Sequence, residues 1–417
     1  MRFHREPIQV TEAQQRILAF AETGAVELVP LTESEGRRLA EPIRATSDVP
    51  HFPKSPYDGF AVRSEDTIGA CITKPVELEI VGAIACGDEP AFFVGKGQAA
   101  RIMTGAAIPK GADCVIMFEM TTENEAPAKK IVGIKKEMKP GENIIQLGEE
   151  AKTGDLLIEA GKRIGPGEMA LLATFGYAQV PVYCQPKIGI LATGSELLQP
   201  EEPLRYGKIR NSNSYMTASQ VRQAGGIPVL YGNLEDNPDK AVETVLSILE
   251  ETDILITSGG VSVGDFDIMV EVFQRLKAEL LFNKIAMRPG SVTSAVRYKD
   301  KFIFGLSGNP GACFVGFELF VRPLLQTMQG KKQVTLPEIE ATMGLDMKKP
   351  SSFTRYVRSS WTVEDGKIVV YPVGQDKSGV VTNITDANCL LRIPPGGSGI
   401  SRGDKATILL LPYNAGE

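Results

Sequence analysis

The sequence predicts a multidomain protein of the α/β plus β class, with a central three-layer α/β domain built on a parallel or mixed sheet. A chain of 417 residues is long enough for roughly two to four domains. From Lys187 to about Gly330, apolar strand-like runs alternate with amphipathic helical segments, which is the pattern of successive βαβ units. Short β-like runs fill residues 47–147 and return after Lys331. The sequence therefore predicts β modules on both sides of the central domain.

The chain up to residue 183 divides into three segments. Residues 1–46 have helical patterning in TEAQQRILAFAETG and in ESEGRRLAEPI. Residues 47–147 form the first β module, with many glycines and prolines and with alternation in PVELEIVGAI. Residues 148–183 return to a short strand, a Gly/Pro break and a helix. If this third segment pairs with the first, the β module is an insertion into a discontinuous domain.

The rest of the chain divides into two segments that differ in their predicted secondary structure. In residues 184–330 the predicted order of elements is strand, helix, strand, helix, strand and then a further strand and helix, in KIGILAT, SYMTASQVRQAGG, IPVLYG, DKAVETVLSILEE, DILITSGG, FIFGLSGNP and GACFVGFELFVRPLLQ. Residues 331–417 become β-like again, as in KIVVYPVG and KATILLLP. A C-terminal β domain is expected there.

Composition excludes several classes of function. The net charge is -6 and the basic residues are scattered, so no basic stripe is available for nucleic acid. The charged start MRFHREPIQV and the lack of a bilayer-length apolar run predict a soluble, cytoplasmic protein. Six separated cysteines without a CxxC pair are typical of reduced thiols. With only His4 and His51, an imidazole zinc site is excluded, and oxygen ligands favour Mg²⁺.

Polar loops follow four predicted strands of the central domain. Because the carboxyl ends of parallel strands meet at one edge of a sheet, these loops are expected to converge. Glycines allow close approach of a ligand, hydroxyls and free N–H groups suit phosphate oxygens, and carboxylates suit a hard cation. The candidate residues in these loops are Thr193, Gly194, Ser195 and Glu196, then Asp236, then Ser258, Gly259, Gly260, Ser262 and Asp265, and finally Ser307, Gly308 and Asn309.

Each loop alone also fits an ordinary turn or helix cap. The SGGVSVGD loop is the most specific, because its two consecutive glycines exceed what a cap needs, and it predicts phosphate binding without being a Walker loop. Asp236 and Asp267 are either surface carboxylates or residues for metal or pyrophosphate. Lys284 and Arg288 belong to a cationic segment that enters a predicted strand, and they form either an oxyanion clamp or a solvated strand end.

Six motifs together resemble the molybdopterin molybdenumtransferases, which include the MoeA proteins and the E domain of gephyrin. The resemblance runs in collinear order from about residue 8 to about residue 410, through SPYDGFAVR, RIMTGAAIPKGADCVIM, TGSEL, SGGVSVGDFD, KIAMRPG and the GNP after FIFGLS. It implies an elongated helical and β domain (1–46 and 148–183), an inserted β domain (47–147), an α/β molybdopterin-binding domain (184–330) and a C-terminal β-barrel domain (331–417).

The implied activity is the last step of molybdenum cofactor synthesis. In that step molybdate is inserted into adenylylated molybdopterin with release of AMP, Mg²⁺ assists the loss of AMP, and the enzyme works as a homodimer. A molybdopterin adenylyltransferase is a further implied partner. Two rival hypotheses remain at this point: a non-catalytic dimeric scaffold with the same fold, and a nucleotide-processing hydrolase that shares only the α/β domain.

The resemblance also assigns roles residue by residue. Asp58 and Thr104 match positions that reach toward the partner subunit's site, although each motif also fits a hairpin turn. The catalytic set is completed by three acidic residues that double as metal ligands, Glu196, Asp236 and Asp267. The pterin and oxyanion set comprises Thr193, Gly194, Ser258, Gly259, Gly260, Ser262, Lys284, Arg288, Ser291, Ser307, Asn309, Arg355 and Ser378.

Departures from the family pattern make the expected oxyanion site less cationic. A family lysine is replaced by Ser291, and serines also replace family residues at Ser307 and Ser195. The site is still expected to offer a tetrahedral dianion positive charge and hydrogen-bond donors, with no competing carboxylate. Arg355, read alone, also fits a surface strand. We interpret the changes as a variant molybdate pocket.

Overall fold

The computed structural model describes residues 6–126, 129–234, 237–259 and 268–413. The chain forms two compact units. The first unit comprises residues 1–41, 160–165 and 179–417, and the second comprises residues 42–159 and 166–178. None of the helices found among the described residues is long and apolar enough to cross a membrane. The finer division into four domains stays a prediction.

Seven α-helices are found in the described part of the chain. They are α1 Val10–Leu18, α2 Pro166–Thr174, α3 Asn213–Gln223, α4 Pro238–Glu251, α5 Ile268–Arg275, α6 Pro310–Gly316 and α7 Arg322–Met328. A π-helical segment, Phe317–Val321, joins α6 to α7. Local sequence explains where α4 begins, because the Asn237 side chain accepts hydrogen bonds from the backbone of Asp239 and Lys240 and proline occupies the first turn.

The strands are numbered in chain order. Up to residue 183 they are β1 Val26–Pro30, β2 Ile43–Arg44, β3 Gly59–Val62, β4 Val76–Ile84, β5 Gln98–Ile102, β6 Cys114–Met117, β7 Thr121–Ala126, β8 Lys129–Ile134, β9 Leu156–Ile158 and β10 Gln179–Tyr183. Those of the central region are β11 Lys187–Thr193, β12 Leu197–Leu198, β13 Ile209–Arg210, β14 Ile227–Leu234, β15 Ile254–Ser258, β16 Glu279–Phe282, β17 Met287–Arg288, β18 Ser294–Tyr298 and β19 Lys301–Leu306. The last are β20 Glu338–Met343, β21 Thr354–Glu364, β22 Lys367–Pro372, β23 Cys389–Ile393 and β24 Lys405–Leu410.

The second unit is built on a six-stranded sheet in the order β6-β3-β5-β4-β8-β7. Its pairings are antiparallel except for β4 with β5, which is parallel. Apolar side chains such as Phe60, Ile116 and Val132 are fully or almost fully buried in its core. The β texture predicted for residues 47–147 is therefore found in the structure.

The central sheet of the first unit is mixed. Its strand order is β14-β11-β15-β19-β18-β16, and the first four strands are mutually parallel while the last two pairings are antiparallel. Side-chain alternation along β15 explains the burial on both faces. Ile254 and Ile256 pack into a core with α3, α6 and α7, whereas Leu255 packs into a second core with α4 and α5. Helices thus cover both faces, and the predicted three-layer arrangement is confirmed.

The C-terminal strands form a closed five-stranded barrel. Around the barrel the order is β21, β22, β20, β24 and β23, and β23 pairs back with β21. The interior is apolar, with Val370, Leu391 and Ile408 fully buried. Strand β17 adds to the outside of β21 in parallel, although it belongs to the chain segment of the central domain. The barrel implied by the family resemblance is confirmed.

One helical expectation is wrong. The segment ESEGRRLAEPI contains no α-helix: a turn of 3-10 helix, Leu31–Glu33, ends at its first residue, and the chain then turns and extends. Gly36 has a φ of 76°, which ends any helix, and the backbone of Leu39 donates to the Lys162 carbonyl. Pairing with a distant segment, which periodicity cannot reveal, therefore overrides the local pattern. The helix predicted in TEAQQRILAFAETG is present as α1.

A buried ion pair lies where the π-helical segment meets α7. Glu318 and Arg322 are 0% and 1% exposed, and the Glu318 carboxylate accepts hydrogen bonds from Arg322, from Gln220 on α3 and from the Tyr413 hydroxyl. Burial opposes the charge of Arg322, but the attraction of Glu318 outweighs it and raises the pKa of Arg322. This pair ties α3 to the helices that follow the central sheet.

Candidate active site

A cleft of about 430 Å³ lies at the carboxyl edge of the central sheet. Three neighbouring parallel strands bring hydroxyl groups to it: β11 ends at Thr193, β15 ends at Ser258, and β19 is followed by Ser307. These strands are adjacent in the sheet, so their ends lie side by side. Asn309 and the carboxylate-bearing Glu196 also line the cleft. The structure therefore brings residues of three predicted loops together.

Two glycines of this cleft have a positive φ, which favours glycine, and at Gly259 the neighbouring backbone also leaves no room for a side chain. Gly259 has a φ of 89°, and a Cβ there would come within 2.5 Å of the Thr193 carbonyl oxygen. At Gly194, with a φ of 144°, a Cβ would come within 2.6 Å of the Glu196 carboxylate. The Thr193 hydroxyl donates to the Ser258 carbonyl at 3.2 Å, which ties the two loops together. A side chain at Gly259 would force them apart.

Sequence reasoning missed one side of the cleft. Arg210, Asn211 and Asn213 line it, between the short strand β13 and the start of α3. Asn213 donates to the Gly308 carbonyl at 2.9 Å, and Asn211 accepts from the Ser214 backbone at 3.1 Å, which satisfies one N–H group in the first turn of α3. The Asn- and Ser-rich run RNSN before a predicted helix was the available signal.

A second cavity of about 300 Å³ adjoins the cleft. Val292, Ser307 and Asn309 line both. The second cavity forms because β17 pairs with β21 in a register that sets Arg288 beside Arg355. Both arginines line it, and so do the predicted residues Ser291 and Ser378. Lys349, which the sequence did not indicate, lines it as well. Residues expected to bind a phosphate and residues expected to bind an oxyanion therefore line neighbouring cavities.

Arg355 is the most buried cation of this second cavity, at 3% exposed. Burial lowers the pKa of its guanidinium, and repulsion from Arg288 acts in the same direction. Arg355 donates to the Lys349 carbonyl at 3.1 Å and forms an ion pair with Asp376. The expectation of no competing carboxylate is therefore wrong, because the turn before Ser378 folds Asp376 onto Arg355 and no sequence pattern encodes that contact.

The other predicted residues are distributed as follows. Lys284 lines neither cavity, and its carbonyl accepts a hydrogen bond from the Ile8 backbone at 3.2 Å. Asp58 and Thr104 lie together in the second unit, where the Asp58 carboxylate accepts from the Thr104 backbone at 2.7 Å and from its hydroxyl at 2.9 Å. The backbone bond, followed by the hydroxyl bond, lowers the pKa of Asp58. The residues outside the described part of the chain are Asp236, Gly260, Ser262, Asp265 and Asp267.

Of the three predicted metal ligands, one lies in the part of the chain that the structure describes. Glu196 is exposed to the cleft, and the other two predicted ligands lie outside the described residues. Within the ranges that the structure describes, no three His, Cys, Asp or Glu side chains converge. Mg²⁺ is commonly held by one or two carboxylates plus substrate phosphates, so Glu196 on the wall of this cleft fits that donor set.

Three family models match the chain in order. They are the MoeA N-terminal region (domain I and II) over residues 8–176, the "Probable molybdopterin binding domain" over residues 189–327, and the MoeA C-terminal region (domain IV) over residues 340–411. The chain is 46% identical over 407 residues to a molybdopterin molybdenumtransferase of Bacillus subtilis (strain 168), covering 98% of this chain and 95% of that protein. This chain belongs to the MoeA family of molybdopterin molybdenumtransferases.

Other members of the MoeA family agree with this assignment. A molybdopterin molybdenumtransferase of Staphylococcus aureus (strain MRSA252) is 45% identical over 413 residues, covering 99% of this chain and 98% of the relative. The crystal structure of a molybdopterin biosynthesis MoeA protein from Pyrococcus horikosii superposes with a TM-score of 0.85 at 30% identity, covering 97% of this chain and 99% of that chain. The MoeA fold therefore extends over nearly the whole molecule.

Proposed function

We propose that this protein transfers molybdenum to molybdopterin, using molybdate and adenylylated molybdopterin and releasing AMP, as the last step of molybdenum cofactor synthesis. One observation carries the proposal: a hydroxyl-lined cleft at the sheet edge adjoins a cavity that holds Arg288, Lys349 and Arg355. A pterin phosphate and a molybdenum oxyanion need such neighbouring sites. The names of the family's relatives support the same chemistry.

Each cavity then has its own task. In the cleft, the Ser258 and Ser307 hydroxyls donate to the pterin phosphate, while Thr193, whose hydroxyl donates to the Ser258 carbonyl, holds the two loops together. In the second cavity, Arg355 and the Ser378 hydroxyl hold molybdate beside it, because a tetrahedral dianion is stabilised by charged and neutral donors. Holding both substrates next to one another supplies proximity, which lowers the barrier without a further catalytic group.

We further propose that Mg²⁺ takes part and that the enzyme is a homodimer. A bound Mg²⁺ supplies charge stabilisation to the phosphate oxygens, and Glu196 would hold it together with Asp236 and Asp267. Asp58 and Thr104 would serve the site of the partner subunit. A monomer in sedimentation equilibrium would contradict the dimer, and full activity of a Glu196→Gln variant would contradict the metal role of that carboxylate.

The test of the proposed activity is reconstitution. Purified protein is incubated with adenylylated molybdopterin, molybdate and Mg²⁺, and the product is transferred to a molybdoenzyme that lacks its cofactor. We expect active enzyme and stoichiometric AMP. Absence of both products under saturating substrates would overturn the proposal. AMP release without molybdenum insertion would also overturn it, and would favour the rival hypothesis of a nucleotide-processing hydrolase.

A substitution at Gly259 tests whether the cleft binds substrate. Gly259→Ala is expected to lower molybdenum transfer by about 100-fold, because the new Cβ displaces the Thr193 loop and misplaces the phosphate site. The measurement is the rate of molybdenum insertion, with the concentration of adenylylated molybdopterin varied. Gly232→Ala is the matched control, since Gly232 also has a positive φ, 76°, but nothing lies within 4 Å of its Cβ position. Equal losses in both variants would show that backbone strain, not the cleft, determines the effect.

A further inference from the structure

The second cavity contains one carboxylate among its cations. Asp376 forms an ion pair with Arg355, and the Lys349 ammonium lies 3.6 Å from the same carboxylate oxygen. Lys349 and Asp376 line the cavity with Arg288 and Arg355. Neither Lys349 nor Asp376 was among the binding residues predicted from the sequence. An anion site that contains its own carboxylate requires an explanation, because like charges repel an incoming dianion.

Hydrogen bonds from Arg358 and from the start of α6 fix the turn that carries Asp376. Arg358, which is 2% exposed, donates to the Lys377 carbonyl at 2.9 Å and to the Asn383 side chain at 2.9 Å. The Ser378 carbonyl accepts from the Gly311 backbone at 2.9 Å, which joins the turn to the start of α6. Asp376 itself is not part of these contacts, and its carboxylate, 21% exposed, contacts the cations of the cavity alone among the polar partners described. Its side chain is therefore able to move without unfolding the turn.

The charges explain why a carboxylate is present. The parallel pairing of β17 with β21 sets Arg288 beside Arg355, and the two like charges repel one another. A buried guanidinium also needs a partner, because its desolvation is otherwise uncompensated. Asp376 meets both needs. A tetrahedral dianion held by Arg355 would meet them equally and would require the same N–H donors.

We propose that Asp376 is the exchangeable counter-ion of the oxyanion site, and that molybdate binds by displacing its carboxylate from Arg355. This inference rests on the proposed function, whose oxyanion cavity it refines. Asp376 thereby sets the affinity and selectivity of the cavity. An incoming anion replaces the Asp376 carboxylate on Arg355 only if it brings at least as much negative charge as that carboxylate. The competing interpretation is that Asp376 is a permanent support that orients Arg355 for the anion.

The two interpretations make opposite predictions for Asp376→Asn, which keeps the shape of the side chain and removes its charge. Displacement predicts that molybdate binds about tenfold more tightly to the variant, because no carboxylate competes. Permanent support predicts weaker binding, because the neutral amide holds Arg355 less firmly. The measurement is isothermal titration of the full-length protein with molybdate, and with sulfate as a second dianion. Asp376→Ala, for which displacement predicts the same direction, replaces the asparagine variant if that variant does not fold.

Glu340→Gln is the matched control. It also removes one negative charge from the barrel, but Glu340 forms an exposed pair with Lys405, at 66% and 79% exposed, and does not line the cavity. We expect unchanged molybdate affinity in this control. Unchanged or weaker binding to the Asp376→Asn protein, while the wild-type protein still transfers molybdenum, overturns the counter-ion proposal alone. Tighter binding to that variant, with no transfer by the wild type, supports the counter-ion proposal and overturns the proposed function.

Discussion

Replacing Arg355 by alanine is expected to reduce molybdenum transfer by on the order of 10²–10³-fold, the range found when a preorganised donor to a developing anion is removed. Arg355 is the buried cation of the second cavity and lies beside Arg288 through the β17–β21 pairing. Its loss removes the guanidinium and leaves the Asp376 carboxylate to repel molybdate. The measurement is the rate of molybdenum insertion under saturating pterin, with the molybdate concentration varied.

Arg392→Ala is the matched control for this prediction. Arg392 lies on β23 of the same barrel and pairs with Glu338 at 2.6 Å, but both side chains are about one-third or more exposed. We expect little change in its activity. A similar loss in both variants would indicate a general effect on the barrel. Ser378→Ala, which removes only a hydroxyl from the cavity, tests the same site without disturbing a buried charge.

Replacing Glu318 by alanine is expected to lower the free energy of unfolding of the first unit by about 4 kcal/mol, because removal of one partner leaves a buried charge uncompensated. Arg322 is 1% exposed and would lose its carboxylate, and Gln220 and Tyr413 would each lose an acceptor. Differential scanning calorimetry of the wild type and the variant measures the change. The second unit has its own core, so its thermal transition is expected to stay in place.

An exposed pair with the same chemistry provides the control. Glu12 and Arg16 are also a glutamate and an arginine four residues apart on a helix, at 2.6 Å, but both side chains are 46% exposed. Glu12→Ala is expected to change the free energy of unfolding by about 0.5 kcal/mol or less, because water screens the pair. If Glu318→Ala proves as mild as this control, the buried pair does not stabilise the unit in the way that its burial implies.

Most of the fold could be predicted from the spacing of apolar residues and from the positions of glycine and proline, because helices and strands bury one face and often end at those residues. They found α1, the alternation of strands and helices in the central sheet, and the β regions on both sides of it. They failed at ESEGRRLAEPI, where Leu39 is buried by pairing with a segment more than a hundred residues away. Such pairing depends on tertiary structure and leaves no local signal.

The candidate site was predictable where it follows directly from strand ends. Thr193, Ser258 and Ser307 meet because parallel strands end at one edge. Arg210 and Asn213 were missed because Arg210 lies in the short strand β13 and Asn213 just after it, well beyond the end of β11 in the sequence. Asp376 was missed for a different reason: it lies two residues before the predicted Ser378, but its ion pair with Arg355 forms only when the turn folds over the barrel.

Diffraction at the molybdenum absorption edge, from a crystal soaked in molybdate and adenylylated molybdopterin, tests most directly whether the two adjoining cavities form one substrate site. We expect molybdenum within hydrogen-bonding reach of Arg355 and Ser378, and the pterin phosphate among Thr193, Ser258 and Ser307. The same data would show the Asp376 carboxylate turned away from Arg355. Molybdenum bound outside the second cavity, with the pterin phosphate away from the sheet edge, would contradict the assignment of this site.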